Sequence, residues 1–278
     1  MITVRRAILN ETRRRCFSSL TSSLKGPPQS RLVPPGECQF DEEFQSVALV
    51  GKIQVSKTSA VFRFSLPDES KPLNLSTCAC ILAKANIQGE AVIRPYTPIS
   101  TNAISGSFDL LVKNYGDTGT LSRHLHESMT VGDELEFKHI SFNVKLQFPR
   151  DEKHIVMIAG GTGITPMIQA LHAILDDQQQ KEQHVTLIYG SQSSDDILAR
   201  ELLDQWEADY SDKLQVVHVL GHVDMDILQR YAPVTAETLV LVCGPPPMYE
   251  SLCGPRDDSE LSGILSTLGY AKEQVYKF

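Results

Sequence analysis

The chain has 278 residues, of which 41% are hydrophobic and 22% charged, with a formal net charge of −8. That length predicts two domains, and that apolar share supplies a core for each. An acidic balance excludes nucleic acid as a partner, because nothing offsets phosphate repulsion. No run of eighteen apolar residues occurs, so no transmembrane segment is expected by length.

The charge is uneven. Residues 1–25 hold Arg5, Arg6, Arg13, Arg14, Arg15 and Lys25 against Glu11, a net +5, which leaves −13 for the remainder of a chain of −8. This leader is rich in Arg, Ser and Thr and nearly free of acid, the composition of a mitochondrial transit peptide. Val4, Ile8 and Leu9 would line one side of it as a helix. Arg15-Cys16-Phe17 has the form of a matrix-protease site. The competing reading is a disordered basic tail. The expectation is a mitochondrial protein with at most peripheral membrane contact. Residues 26–39 follow as a linker containing Gly26-Pro27-Pro28 and Pro34-Pro35.

Residues 40–150 are expected to form an antiparallel β-barrel domain. Short apolar runs at Ser46–Val50, Ala60–Leu66, Cys78–Ala83, Gly89–Thr97, Gly106–Val112 and Glu134–His139 are separated by turn residues. Leu121–Met129 is the one helix expected in it. Cys78 and Cys80 would share one face of a strand. With no second Cys/His pair at zinc-like spacing, the six cysteines read as reduced thiols and no metal is expected.

Residues 151–278 change pattern. Apolar strand runs alternate with helical ones: Ile155–Ile158 then Met167–Leu175, Val185–Ile188 then Ile197–Trp206, Leu214–Leu220 then Met225–Tyr231, Leu239–Val242 then Ser259–Leu268. This alternation predicts a doubly wound parallel α/β domain.

Three segments carry chemistry. Arg94-Pro95-Tyr96-Thr97-Pro98-Ile99-Ser100 ends a strand. Its Arg can pair with a phosphate, its Tyr can lie on an aromatic ring, and its Thr can bond a ring nitrogen. Gly160-Gly161-Thr162-Gly163-Ile164-Thr165-Pro166 follows a strand and opens a helix. The glycines admit close backbone approach, and the helix start attracts an anion. A plain tight turn is the competing reading. Cys243-Gly244-Pro245-Pro246-Pro247-Met248 leaves the last strand run, where the prolines predict a rigid extended exit. Cys243 would stand at the carboxyl end of the sheet, where ligands of open α/β sheets bind; an ordinary buried thiol is the alternative.

Together these segments resemble the NADH–cytochrome b5 reductase family of the ferredoxin–NADP reductase superfamily, in its mitochondrial plant or algal type, over about residues 44–278. The resemblance implies FAD and NADH as cofactors. It implies that Arg94 holds FAD phosphate, that Tyr96 lies along the flavin, and that Thr97 bonds the isoalloxazine. Leu111-Val112-Lys113-Asn114-Tyr115 matches the family's flavin-side strand, and Gly119-Thr120-Leu121-Ser122 its FAD pyrophosphate segment. Thr162 and Thr165 would meet flavin or NADH, Cys243 would position nicotinamide, and Phe278 matches an aromatic that closes the cofactor cleft. Thr97, Lys113 and Cys243 are the residues implied nearest the reacting atoms.

The chain departs from the family where Thr118-Gly119-Thr120 replaces Gly-Gly-Lys, where Lys138-His139-Ile140-Ser141 replaces a Gly-Pro turn, and where Gly221-His222-Val223-Asp224 stands in place of a longer adenosine-side loop. The stretch Tyr189–Asp196 offers two acids and no cation to a 2′-phosphate, which favours NADH over NADPH. The implied activity passes single electrons to cytochrome b5 or a similar haem protein; docking an acidic partner would need a local basic patch, for which Lys113, Arg123, Lys138 and Lys145 are the candidates, with a solvated face as the competing reading. The alternatives are a diaphorase or quinone reductase of the same superfamily, and a flavin-binding assembly protein that has lost NADH turnover. A monomer is expected.

Overall fold

The computed structural model describes residues 24–143, 145–177 and 182–278. The leader therefore lies outside the described residues except for its last two. Contacts divide the chain into two units, the first ending at Leu146 and the second running Gln147–Phe278.

The first unit is built on β1 (Gln45–Gln54), β2 (Ser59–Ser65), β3 (Ile81–Ile87), β4 (Glu90–Tyr96), β5 (Ser107–Lys113) and β6 (Glu134–Lys138). They form one antiparallel half-barrel in the order β4-β3-β6-β1-β2-β5. Period-two alternation sends Val47 and Leu49 of β1, and Ile81, Ala83 and Ala85 of β3, into the core. Phe40, Phe64, Phe108 and Phe137 fill its centre. Phe137 sits edge-on to Phe64 at 4.8 Å and to Phe108 at 5.1 Å, and each such pair is worth about 1 kcal/mol beyond its buried area.

The sheet edges are β4 and β5, and the chain leaving β4 joins them. The ladder stops at Tyr96, before Pro98, which has no N–H to give. The Ile99 amide then donates to the Asp109 carbonyl (2.9 Å), and the Asp109 amide to Ser100 Oγ (2.9 Å). Asp109 is fully buried and takes two bonds of 2.6 Å from Arg63 of neighbouring β2. Removing one partner of such a buried pair leaves an uncompensated charge.

The expected helix Leu121–Met129 is corrected to two different turns. Thr120–Arg123 (α1) is α-helical, whereas His124–Ser128 is a π turn closed by the Met129 amide on the His124 carbonyl at 3.1 Å. Side chains from two strands account for the widening. Lys52 Nζ of β1 donates to the carbonyls of Leu125 (3.1 Å), His126 (2.6 Å) and Met129 (3.0 Å), and His126 Nε2 bonds the Val112 carbonyl of β5 (2.9 Å). The cysteine expectation is corrected as well. Cys78 and Cys80 precede β3, and Cys78 has φ +63°, so the two share no strand face.

The second unit is a parallel sheet of β7 (His154–Gly160), β8 (His184–Ser191), β9 (Leu214–Leu220), β10 (Thr238–Cys243) and β11 (Val275–Lys277), in the order β11-β10-β7-β8-β9. Its helices are α2 (Ile164–Asp176), α3 (Arg200–Asp209), α4 (Met225–Tyr231), α5 (Pro246–Leu252) and α6 (Gly263–Leu268). Val156, Ile158, Val240 and Val242 pack with Leu228, Leu252 and Leu265 of α4, α5 and α6. The alternate residues Ile155 and Met157 are buried in the other direction, and α2 meets α3 where His172 packs edge-on against Trp206 at 4.7 Å. Two elements, α5 and β11, were not expected. The prolines thought to extend the chain after β10 do so only at Pro245; Pro246 and Pro247 open α5, where a missing N–H costs nothing. The helix expected at Ser259 starts at Gly263, and the one expected at Ile197 starts at Arg200, after Ala199 adopts φ +55°.

Burial holds His172 well below its ordinary range, at about 4, with Asp176 opposing weakly. Between pH 4 and 6.5 the unfolded chain takes up a proton that the folded chain refuses. Stability from the neutral ring is therefore complete above pH 6.5 and drains away as pH falls towards 4. Exchanging His172 for Phe should flatten this acid limb. Urea melts at pH 7 and pH 4.5 should show the native protein losing roughly 2 kcal/mol more than the variant, and equal losses would reject the assignment.

Candidate active site

In the first unit the residues expected beside a flavin gather at the two sheet edges. Arg94 lies on β4 with its guanidinium exposed, and Nη2 is 3.4 Å from Thr120 Oγ1 at the start of α1. Nη1 donates to the Ile93 carbonyl (2.8 Å). Pro95 is exposed and Thr97 half-buried beyond the strand end. Tyr96 packs on the core, and burial raises its phenol well above the usual range despite the nearby Arg94. The hydroxyl is thus a neutral donor. Ser100 is buried and spent on the Asp109 amide.

On the other edge, Leu111 and Val112 are buried, Lys113 ends β5 opposite Ser59, and the Tyr115 ring is half exposed. Gly119 is the N-cap of α1. Leu121 and Ser122 are buried, and Leu121 belongs to the core, so Leu121 offers backbone rather than side chain. Arg94, Thr120 and the first amides of α1 thus converge on one exposed place.

In the second unit the chain order reverses between β7 and β10: β8 and β9 lie on one side of β7, β10 and β11 on the other. Ligands of open α/β sheets bind beyond the carboxyl ends of strands at such a switch point. The Gly160–Pro166 turn and the Cys243–Met248 turn leave from there, because Ala159 and Cys243 are register partners. They pack backbone to backbone. A Cβ added to Gly163 would overlap the Cys243 carbonyl oxygen, and the Met248 thioether seats against both Gly160 and Gly244. Gly161, by contrast, has φ +53° and open space around it. The Thr165 hydroxyl donates to the Thr162 carbonyl (3.2 Å), and Pro166 is buried in the first turn of α2. These two residues shape the turn. Thr162 is half-buried, Cys243 is partly accessible, and Pro245 and Pro246 are exposed. Phe278 is buried with its ring edge on Tyr276 at 4.9 Å.

The short stretch after β9 is a compact turn. The Gly221 amide donates to the Ser191 carbonyl (2.8 Å), and Asp224 caps α4 by accepting from the Ile227 amide (3.0 Å). Leu220 is left 62% exposed at the strand's carboxyl end.

Comparison with known proteins agrees with both halves. Residues 46–144 match the oxidoreductase FAD-binding domain, and residues 157–254 the oxidoreductase NAD-binding domain. A curated NADH-cytochrome b5 reductase 2 of Scheffersomyces stipitis is 35% identical over 254 residues, covering 85% of this chain and 84% of that protein. An NADH-cytochrome b5 reductase-like protein of Arabidopsis thaliana is 39% identical over 247 residues, covering 81% and 74%. The chain belongs to the NADH–cytochrome b5 reductase family. It is an oxidoreductase with FAD and NADH as its cofactors. Among solved structures, the cytochrome b5 reductase domain of Ulva prolifera nitrate reductase superposes with a TM-score of 0.75 at 28% identity, covering 91% of this chain and all of that one.

The residues present fit these cofactors. An exposed guanidinium beside a hydroxyl and free helix amides is the donor set a pyrophosphate needs, and the open left-handed Gly161 leaves room for a ligand against backbone. Sequence reasoning missed two residues here. Ser191 ends β8 with a buried hydroxyl that has no partner among the described residues; its place at a strand's carboxyl end was the available signal. Tyr249, whose hydroxyl lies 2.9 Å from the main-chain oxygen of Phe278, carried no motif signal at all.

Gly163→Ala should cost about 1–3 kcal/mol through overpacking of backbone on backbone. Gly161→Ala should cost about 1 kcal/mol, from left-handed strain alone. Thermal melts of the two variants check the order, and an equal or reversed ranking would show that the two turns do not press on one another.

Proposed function

We propose that this chain takes hydride from NADH and delivers single electrons to cytochrome b5 or a closely similar haem protein. The single observation that carries the reading is the juxtaposition of the Gly160–Pro166 and Cys243–Met248 turns at the switch point, in a chain whose first half gathers a phosphate-binding set at Arg94 and Thr120. When bound, FAD supplies the conversion of a two-electron donor into one-electron steps, and the protein supplies orientation and electrostatics.

In this reading Arg94, Thr120, Gly119 and Ser122 hold the FAD pyrophosphate. Pro95, Tyr96, Thr97 and Ser100, with Leu111, Val112, Lys113 and Tyr115, form the flavin's bed, in which Thr97 and Lys113 hydrogen-bond the ring and Tyr96 stays neutral. Gly160, Gly161, Thr162 and Gly163 receive the NADH pyrophosphate, with Ser191 as a further donor. Cys243, Gly244, Pro245 and Met248 wall the nicotinamide, beside Phe278. NADH is favoured over NADPH because Asp195 and Asp196 lie in the turn after β8, and Arg200, the next cation, already faces Asp204 at 3.6 Å. The stretch Tyr189–Asp196 itself offers a 2′-phosphate two acids and no Lys or Arg.

The acceptor argument is electrostatic. The body is acidic overall, so an acidic haem protein needs local basic groups. Lys138 lies over the Phe44 ring at 5.1 Å, giving a cation a fixed place on the first unit, whereas Lys84 on the same ring is paired with Glu136 at 3.0 Å. Arg123 is paired with Asp117 at 2.9 Å, which weakens its share in that patch.

The purified protein should be yellow, and anaerobic NADH should bleach it far faster than NADPH. Cytochrome b5 should then turn over faster than a quinone. A flavin that NADH leaves oxidised would reject the enzyme reading in favour of a flavin-binding assembly protein, and faster quinone turnover would favour the diaphorase. Cys243→Ser should retain FAD yet slow bleaching at least tenfold in stopped flow; reduction at the native rate would remove Cys243 from the site.

A further inference from the structure

Tyr249 lies in the second turn of α5 with 3% of its surface exposed, buried among Val242, Leu252 and Leu265. A tyrosine so placed must find partners for its hydroxyl. This one reaches the carbonyl oxygen of Phe278 at 2.9 Å and that of Val242 at 3.2 Å. The Val242 oxygen already accepts the Phe278 amide at 3.1 Å. The one phenolic proton therefore goes to the closer acceptor, the Phe278 carbonyl. Burial raises the phenol's pKa, and the Cys243 side chain, in hydrogen-bonding contact with the same hydroxyl, adds to the rise. The oxygen stays protonated at any working pH, with the Cys243 side chain and the Gly244 amide both beside it.

These contacts join two residues that the proposed function puts at the nicotinamide. Phe278 reaches the sheet through its amide on β10 and its carbonyl on Tyr249. Cys243 follows Val242 directly on β10. One hydroxyl thus tethers the aromatic residue beside the strand end that carries Cys243, while its own ring is fixed in the core.

We propose that Tyr249 is a positioning residue of the nicotinamide site, its hydroxyl tethering Phe278 to the end of β10 that carries Cys243. The inference rests on the proposed function and names a residue that neither the motifs nor the family domains assign. It requires no bond breaking by Tyr249 itself.

The test uses the FAD-loaded full chain with Tyr249→Phe, Phe278→Ala and the double variant, because the phenylalanine swap removes one oxygen and keeps the packed ring. Two quantities are read: hydrogen exchange of the Val275–Phe278 amides, and anaerobic flavin reduction across NADH concentrations. Tyr249→Phe should keep its FAD and speed exchange in that segment about five- to tenfold, the worth of one net hydrogen bond. It should lower the limiting reduction rate by a similar factor while NADH affinity changes less. In the Phe278→Ala background it should add little to the loss of reduction rate, since the ring it holds is gone, while its effect on exchange persists because the main-chain oxygen remains. Native exchange, a native limiting rate, or rate effects that multiply in the double variant would each overturn the proposal. A wild-type protein that binds FAD but is not bleached by NADH would sink the proposed function and the positioning role together. Exchange would still report separately whether the tether exists.

Discussion

The close backbone approach of two turns governs the second unit. Gly163, entering α2, lies so near the Cys243 carbonyl that no side-chain carbon fits between them. That contact fixes where β7 and β10 deliver their chain ends. It follows from the strand order, since β10 returns to the side of β7 opposite β8 and leaves both carboxyl ends pointing out together. A glycine turn and a Gly-Pro exit are the sequences that tolerate the approach. One presents bare backbone; the other is stiff enough to hold its line before α5 begins. The thioether of Met248 closes the remaining gap against Gly160 and Gly244.

The first unit solves a different problem by a buried charge. Its sheet ends in two edges, and the segment Pro98–Ser100 must be held between them. Asp109 does this with its backbone, giving an amide to Ser100 and a carbonyl to Ile99, while Arg63 neutralises its carboxylate inside the sheet. The pair is costly to desolvate and costly to break. Its value here is placement: it ties the end of the β4 segment, which carries Arg94 and Tyr96, to the strand that carries Leu111–Lys113. The Lys52 and His126 contacts add the helical segment to the same assembly through the Val112 carbonyl.

The legible parts of the chain were those written in local patterns. Leu214–Leu220 and Met225–Tyr231 stand where the apolar runs and turn residues put them, because burial on two faces, or on one helical stripe, leaves a clear period. The glycine, proline and hydroxyl segments likewise announced themselves, since few residue types suit backbone pressed on a ligand. What escaped was set by distant partners. The π turn at His124–Ser128 depends on Lys52, some seventy positions earlier. Cys78 turns left-handed where its local sequence reads as strand. The edge strand Val275–Lys277 is too short to show a period, and exists by pairing with β10. Ser191 and Tyr249 have ordinary neighbours in sequence and acquire meaning only from what their hydroxyls meet.

Within each unit the shifted tyrosines and histidine are suited to orienting rather than to moving protons. Tyr96 and Tyr249 are both pushed upward by burial, so each hydroxyl stays a fixed donor. His126 is pushed downward by burial, with Lys52 adding to the shift, which keeps its ring neutral and its Nε2–H on the Val112 carbonyl. A general acid or base needs a pKa near the working pH, and these groups are moved away from it. Hydride transfer asks for ring placement and a stable dipole field, with no side chain cycling its proton. The burial that removes these residues from acid–base work is the same burial that holds Tyr96 on the β4 edge and Tyr249 against Val242 and Phe278, so packing and electrostatics serve one end in this chain.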